Sequence, residues 1–366
     1  MRANSRTSAN TSATKGKKVY VGLSGGVDSA VSAALLQKEG YDVHGVFIRI
    51  ALPGYPCSAG EDKVDAMRVA AHLRIPFVEI DMSEEYEKEV FKTSMREFER
   101  GRTPNPDALC NREIKFGLFY DWCLSEGADF VATGHYAQTK DGLLYAGADE
   151  SKDQSYFLWM VPGEKLRRTL FPVGALHKTR VRALAKKFKL PNAARKDSQG
   201  LCFLGEVSID DMLHREIALT PGDVLNEAGE TIGSHEGAPA YTLGQRHGFT
   251  LFTQAPDAAP LYVIEKDVEF NTLTVSPDRF PRDASATEVK LAEENWIGNI
   301  KNGHYLARYR YRQELIPATL QKNDQGQTLV TLKRPHYVPL GQSLVLYDDS
   351  RCLGGGVVDN ATLLGA

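Results

Sequence analysis

Along the first third of the chain, apolar runs of strand length alternate with stretches whose apolar residues recur at helical spacing. Residues 18–24 (KVYVGLS) read as a buried strand, and 28–40 (DSAVSAALLQKEG) as a helix closed by Gly40. A second strand is expected over 41–50 (YDVHGVFIRI). The helix over 61–73 (EDKVDAMRVAAHL) carries Val64, Met67 and Ala71 on one apolar face, and Pro76 stops it. Residues 77–82 (FVEIDM) read as strand, and Tyr86, Val90, Phe91 and Phe98 mark the next amphipathic helix. A proline-rich loop, a helix over 112–127 and a strand over 129–136 (DFVATGHY) follow. Alternation at these lengths predicts an α/β fold with a parallel sheet and right-handed crossovers.

Beyond about Leu219 the period shortens to two. LYVIEKD, TLTVS, TLVTLKR and SLVLYDD are short alternating runs separated by turn residues, an all-β pattern. Boundaries are expected near 207–220 and 280–290. They divide the chain into a disordered tail (1–17), a nucleotide-type domain (18–212), a central β-rich domain (213–283) and a C-terminal β domain (284–366).

The bulk charge adds little. A net charge of -3 over 366 residues excludes a globally basic protein, so any nucleic-acid contact must be local. No stretch reaches the apolar length of a membrane span, so no membrane partner is expected. The first eighteen residues hold five Lys or Arg and no acid, but lack the apolar core of a secretory signal. Five cysteines (57, 110, 123, 202 and 352) are too few and too scattered for a disulfide framework, and none forms C-x-x-C, which argues against zinc or iron–sulfur ligation.

Chemistry concentrates first at residues 21–30, VGLSGGVDSA. Glycines at a strand-to-helix corner let backbone N–H groups approach a ligand, and a helix N-terminus suits phosphate. The stretch lacks both the Walker lysine pattern and G-x-G-x-x-G. The plain alternative is a tight turn with Asp28 or Ser29 capping the helix. SGGVDS after an apolar strand resembles the signature of the PP-loop ATP pyrophosphatases, which split ATP between its α- and β-phosphates. That resemblance implies ATP across Gly22, Leu23, Ser24, Gly25, Gly26, Val27, Asp28 and Ser29, with backbone near Ile48 and Gly134 on the adenine and ribose side. Mg²⁺ is expected with ATP, without a dedicated protein cage.

Two cysteines have unusual surroundings. Cys110, in TPNPDALCN, follows Pro104 and Pro106, and a helix is expected to begin near Asn111, biasing the thiol toward thiolate. A buried structural thiol is the alternative. Cys202, in DSQGLCFLGE beside Arg195 and Lys196, is open to the same two readings. Cys123, in a helical run, and Cys352, on a C-terminal strand edge, read as structural thiols, and Cys57 leans structural.

With TGHYA, SKDQSYFLW, YTLGQRHG and CLGGGVV, these strings are similar, in order and spacing, to the tRNA-specific 2-thiouridylase family from about residue 18 to the C-terminus. The departures are the tail, a shorter segment after Ile50, and Ala238–Pro239. The resemblance implies a doubly wound parallel sheet, a small β domain and a C-terminal β-barrel, acting in the cytoplasm. It implies thiolation of the wobble uridine of tRNA, with Cys110, Cys202 and Asp107 catalytic and a Cys110–Cys202 disulfide formed in turnover. Asn105, Pro106 and Asp107 would border the target base. His135, Lys152, Asp153, Gln154, Arg310, Tyr311 and Gln342 would contact the anticodon stem-loop. A persulfide donor or relay protein is the implied partner, and the chain is expected to be a monomer.

Two runs give RNA binding separate support. KTRVRALAKKFK (178–189) has six Lys or Arg and no acid, and RYRYR (308–312) interleaves rings with guanidiniums. Either could instead be a solvated face. Three other functions fit part of the pattern: a PP-loop ligase of small metabolites, an iron–sulfur tRNA thiolase, and a non-catalytic RNA-binding protein.

Overall fold

The computed structural model describes residues 15–55, 59–197, 203, 207–253, 259–323 and 325–365. Most of the expected tail, Cys57 and Cys202 therefore lie outside the described residues. The chain forms two compact units. Unit 1 comprises Met1–Val90, Asp107–Val207 and Ser350–Leu353; unit 2 comprises Phe91–Pro106, Ser208–Asp349 and Gly354–Ala366.

Unit 1 is built on strands Lys18–Gly22 (β1), Asp42–Arg49 (β2), Phe77–Asp81 (β3), Phe130–Ala132 (β4) and Thr169–Leu170 (β7). All pair in parallel, in the order β3-β2-β1-β4-β7. The chain winds one way from β1 and then the other, so the order reverses between β1 and β4, the point where such sheets bind ligands. A hairpin of Ala137–Lys140 (β5) and Leu143–Ala146 (β6) also pairs with Arg351 and Cys352. Cys352 is thus a fully buried sheet residue rather than an edge thiol.

Helix α1 (Val27–Lys38) packs through its alanines, Val31 and Leu36, and ends as expected at Gly40, whose φ of 91° suits glycine. Helix α2 (Ala59–Leu73) corrects the sequence reading. Val64 and Met67 are 43% and 46% exposed, while Ala66, Val69 and Ala70 are buried. The buried face carries mainly small side chains that let the helix sit close to its neighbours, whereas the period count follows the bulkier residues. Burying Val69 stabilises by roughly 1.5–3 kcal/mol, a contribution the exposed Val64 largely forgoes.

Helix α3 (Pro106–Cys110) begins earlier than expected, because Pro106 occupies its first position, where a missing N–H costs nothing. It continues as a π-helix over Asn111–Leu118 and then α4 (Phe119–Ser125). Cys123 lies fully buried in α4, and burial pushes its thiol pKa up, as a core thiol requires.

In unit 2, strands Gly222–Leu225 (β8), Thr231–His235 (β9), Thr250–Leu251 (β10), Tyr262–Asp267 (β11) and Thr272–Ser276 (β12) form a small sheet over a core of Val224, Val263, Leu273 and Val275. Six further strands follow: Ala286–Trp296 (β13), Gly303–Arg308 (β14), Ile316–Lys322 (β15), Thr328–Leu332 (β16), Ser343–Asp348 (β17) and Arg351–Leu364 (β18). They pair in the order β13-β16-β15-β14-β17-β18, and β13 pairs back to β18, closing a barrel.

Candidate active site

The glycine corner sits where β1 meets α1, at the sheet's reversal point. Gly25 has φ of 76°, and a Cβ there would come within 2.5 Å of the Asp62 carbonyl oxygen. Gly26 has ordinary backbone angles (φ -75°, ψ 161°), so of the two glycines only Gly25 is demanded by conformation. Gly134, in the loop after β4, needs to be glycine because its Cβ would lie 2.7 Å from the Ser29 nitrogen.

The serines hold the corner. Ser24 N–H donates to Ser29 Oγ (3.2 Å), Ser29 Oγ donates to Gly26 O (3.1 Å), and Gly26 N–H donates to Ser24 Oγ (3.4 Å). Among the described residues no side chain caps α1, contrary to the plain reading of Asp28 or Ser29 as a cap, so its first N–H groups stay available. Leu23 and Val27 are buried, as is Ile48 on β2, and Gly22 lies beside Phe119.

Sequence distance hid the rest of the site. Helix α5 (Lys178–Lys187) aims Lys178 Nζ at both Asp28 carboxylate oxygens (2.8 Å each) and at Asp197 Oδ1 (2.8 Å). Tyr136 OH donates to Asp28 Oδ1 (2.8 Å). Asp197 also accepts from Lys152 (3.1 Å) and Arg182. Burial opposes ionisation of Asp197, but the Lys178 and Lys152 hydrogen bonds outweigh it and hold its pKa at about 2. A lysine absent beside the glycines thus arrives 150 residues later.

Asn192 Nδ2 donates to Gly25 O (2.7 Å), while its buried Oδ1 has no hydrogen-bond partner among the described residues. Arg195 bonds Asp62 and Asp65 of α2, walling the same corner. An uncapped helix start with a lysine held beside its first turn fits a nucleotide phosphate. Among the described residues no three His, Cys, Asp or Glu side chains gather as a metal site.

Cys110 is a fully buried thiol at the end of α3, not at a helix start, so the dipole argument for its thiolate fails. Asp107 lies one turn earlier on the same helix, at the i, i+3 spacing that brings side chains together. Phe203 (next to Cys202 in sequence) carries Lys115 Nζ over its ring at 5.5 Å and meets Tyr86 edge-on at 6.2 Å.

His135 is buried between Phe116 and Phe171, with Nδ1 2.7 Å from Thr133 Oγ1. Burial first and Lys115 second hold its pKa well below the ordinary value, so it is neutral. Asp153 is also buried and accepts from the N–H groups of Gly147 and Ser155 (3.0 Å each). Gln154 Oε1 accepts from Tyr136 N–H (3.0 Å). Of this group Lys152 keeps a partly exposed cation, tied to Asp197.

In unit 2, Asn105 Nδ2 donates to Ser343 Oγ (3.2 Å), and Pro106 is buried. Arg310 donates to Leu243 O in the YTLGQRHG loop and lies over Tyr309, while Tyr311 carries Arg312 on its ring (5.0 Å). Gln342 Oε1 accepts from Ser343 N–H (3.0 Å).

A parallel sheet with a glycine corner at its reversal point, joined to a small β-sheet and a closed barrel, defines the class: a PP-loop-type α/β nucleotide domain with β-rich additions. Family models described as tRNA methyl transferase HUP domain, tRNA methyl transferase PRC-barrel domain and aminomethyltransferase beta-barrel domain match residues 17–206, 210–277 and 286–358. The tRNA-specific 2-thiouridylase MnmA of Pseudomonas fluorescens (strain Pf0-1) is 41% identical over 360 residues, 95% of this chain and 96% of that one. The protein of the same name from Stenotrophomonas maltophilia (strain K279a) is 44% identical over 353 residues, 93% of each chain. The chain belongs to the tRNA-specific 2-thiouridylase family. Among solved structures, a 4-thiouridine synthetase–RNA complex with bound ATP covers 52% of this chain and 46% of that chain at 21% identity and a TM-score of 0.38, an overlap too partial to bear on function.

Proposed function

We propose that this protein is a tRNA-uridine 2-sulfurtransferase that uses ATP to thiolate the wobble uridine, working in the cytoplasm as a monomer. Uridine O2 attacks the α-phosphorus of ATP, and pyrophosphate leaves, giving the O-adenylated base. The terminal sulfur of a Cys202 persulfide, loaded by a relay protein, adds to C2 and AMP departs. Cys110, as thiolate, attacks the Cys202 sulfur, releasing the 2-thio group and leaving a Cys110–Cys202 disulfide for later reduction. Release of sulfide by Cys110 before addition is the variant order.

The residues divide these tasks. Residues 22–29, with backbone at Ile48 and Gly134, would hold ATP with its Mg²⁺, and Lys178 would meet charge developing on the phosphates. Asp107 is the candidate acid or base toward Cys110 and the base, bordered by Asn105 and Pro106. His135, Lys152, Asp153, Gln154, Arg310, Tyr311 and Gln342 are assigned to the anticodon stem-loop. Of these, His135 and Asp153 would act by shaping backbone, since their side chains are buried.

The observation that carries the reading is the uncapped α1 start facing Lys178 in a chain of this family. The test is mass spectrometry of tRNA incubated with the protein, ATP, Mg²⁺ and a persulfide source. Cys202→Ser should abolish 2-thiouridine while ATP binding persists. Substantial sulfur transfer by that variant would overturn the mechanism.

A further inference from the structure

Three loops of unit 2 meet in a row of rings with a guanidinium at each end. The loop after β12 supplies Arg279 and Phe280, the turn after β14 Tyr309 and Arg310, and the loop after β16 Arg334 and His336. Arg279 lies over Phe280 (5.4 Å), and Phe280 meets His336 edge-on (5.0 Å, 83°). His336 meets Tyr309 in the same way (5.7 Å, 75°), and Arg310 lies over Tyr309 (5.7 Å).

The middle of the row is fixed. His336 N–H donates to Thr287 Oγ1 (2.8 Å), which donates in turn to His336 O (3.0 Å). Its Nδ1 is 3.2 Å from Tyr309 OH, and its buried Nε2 has no hydrogen-bond partner among the described residues. Burial, then Arg334, Arg279 and Arg310, push its pKa down to about 4, so the ring is neutral at pH 7. All the positive charge of the row therefore comes from arginines.

Arg310 donates to Leu243 O, but the other two arginines lack internal compensation. Arg282 pairs with Asp278, but Arg279 and Arg334 form no ion pair among the described residues, and both are exposed. Phe280 is 46% exposed. Gathering like charges is unfavourable unless an anion joins them, and an exposed ring among guanidiniums suits an anion that also carries flat rings. RNA has both, phosphates for the arginines and bases for the ring.

We propose that Arg279, Phe280, Arg310 and Arg334 form a contact for the sugar–phosphate backbone of RNA, with Phe280 as a stacking surface for a base. The proposal rests on reading the chain as a tRNA-modifying enzyme and extends its RNA contact well beyond Arg310 and Tyr311. His336 is a positioning residue that spaces the two outer rings.

The test uses the full chain and an unmodified tRNA transcript, with anisotropy titrations over a series of salt concentrations. The double variant Arg279→Gln/Arg334→Gln should lose about tenfold or more in affinity, and its log–log salt slope should fall by about 1–2. Phe280→Ala should weaken binding by about fivefold to a hundredfold. Arg279→Lys/Arg334→Lys, which keeps the charge, should retain the slope. Lys301→Gln/Lys322→Gln removes equal charge elsewhere on the barrel and should leave affinity within about twofold. The proposal fails if wild type binds and thiolates tRNA but the Arg279/Arg334 variant binds with unchanged affinity and slope. It fails also if the Lys301/Lys322 variant loses as much. A wild-type chain that neither binds nor thiolates tRNA would overturn both this proposal and the function on which it rests.

Discussion

Two basic runs look alike in sequence and behave differently in the fold. In residues 178–189 the cations split by side of the helix: Lys178 and Arg182 turn toward Asp28 and Asp197, while Arg180, Lys186, Lys187 and Lys189 are exposed. In 308–312 the split follows the end of a strand. Arg308, the last residue of β14, is buried, with Nη2 2.7 Å from Tyr347 OH and its guanidinium 4.6 Å from that ring, whereas Arg310 and Arg312 lie over rings in the turn beyond. A run of positive charge is thus not one functional object. Its members are sorted by whichever carboxylate or ring the tertiary fold brings to each.

The sharpest way to break this distinction is at Lys178. If it serves the nucleotide corner, Lys178→Met should lower the rate of tRNA-dependent pyrophosphate release by about 10²–10³-fold, the usual loss for one preorganised donor. Affinity for tRNA should stay within about threefold. Pyrophosphate release at a near wild-type rate would reassign Lys178 to holding Asp28 and Asp197 in place.

What the sequence disclosed follows the range of the interactions. The strand, corner and helix of residues 18–40 were legible because a short apolar run, a glycine with positive φ and a helix stop are all local. Helix α2 was found, but its buried face was misjudged, since periodicity weights Val64 and Met67 while the packing selects Ala66 and Ala70. The start of α3 was set five residues late because Pro106 reads equally as loop and as first helical residue. Lys178, Asn192 and Tyr136 were not legible as site residues. Their partners lie 150, 167 and 108 positions away, and no local pattern encodes such meetings.

A smaller effect separates Arg308 from its neighbours. Arg308→Met removes two charge-assisted donors to Tyr347 OH inside the barrel, which should cost about 2 kcal/mol, or roughly 4–8 °C in the transition that includes unit 2. Arg312→Met, on an exposed side chain, should shift that transition by about 1 °C or less. Calorimetry distinguishes them, and equal shifts would mean that the two ends of RYRYR are not sorted as described.

The smallest effect, and the most specific in its pH dependence, concerns Asp197, on which the inward half of the other run converges. Its pKa is about 2 in the folded chain against an ordinary value of 3.8, so it contributes stability that is complete above the unfolded value and lost as pH falls through about 2. Because its partners are partly exposed, that contribution is on the order of 1 kcal/mol. Asp197→Asn should therefore be less stable than wild type by a constant margin from pH 7 down to about pH 4, measured by urea unfolding. The margin should narrow between about pH 4 and pH 2 as the wild-type carboxylate takes up its proton. A margin that is unchanged or wider in acid would show that Lys178, Lys152 and Arg182 do not depend on this charge. The inward and outward halves of the run would then differ in geometry alone.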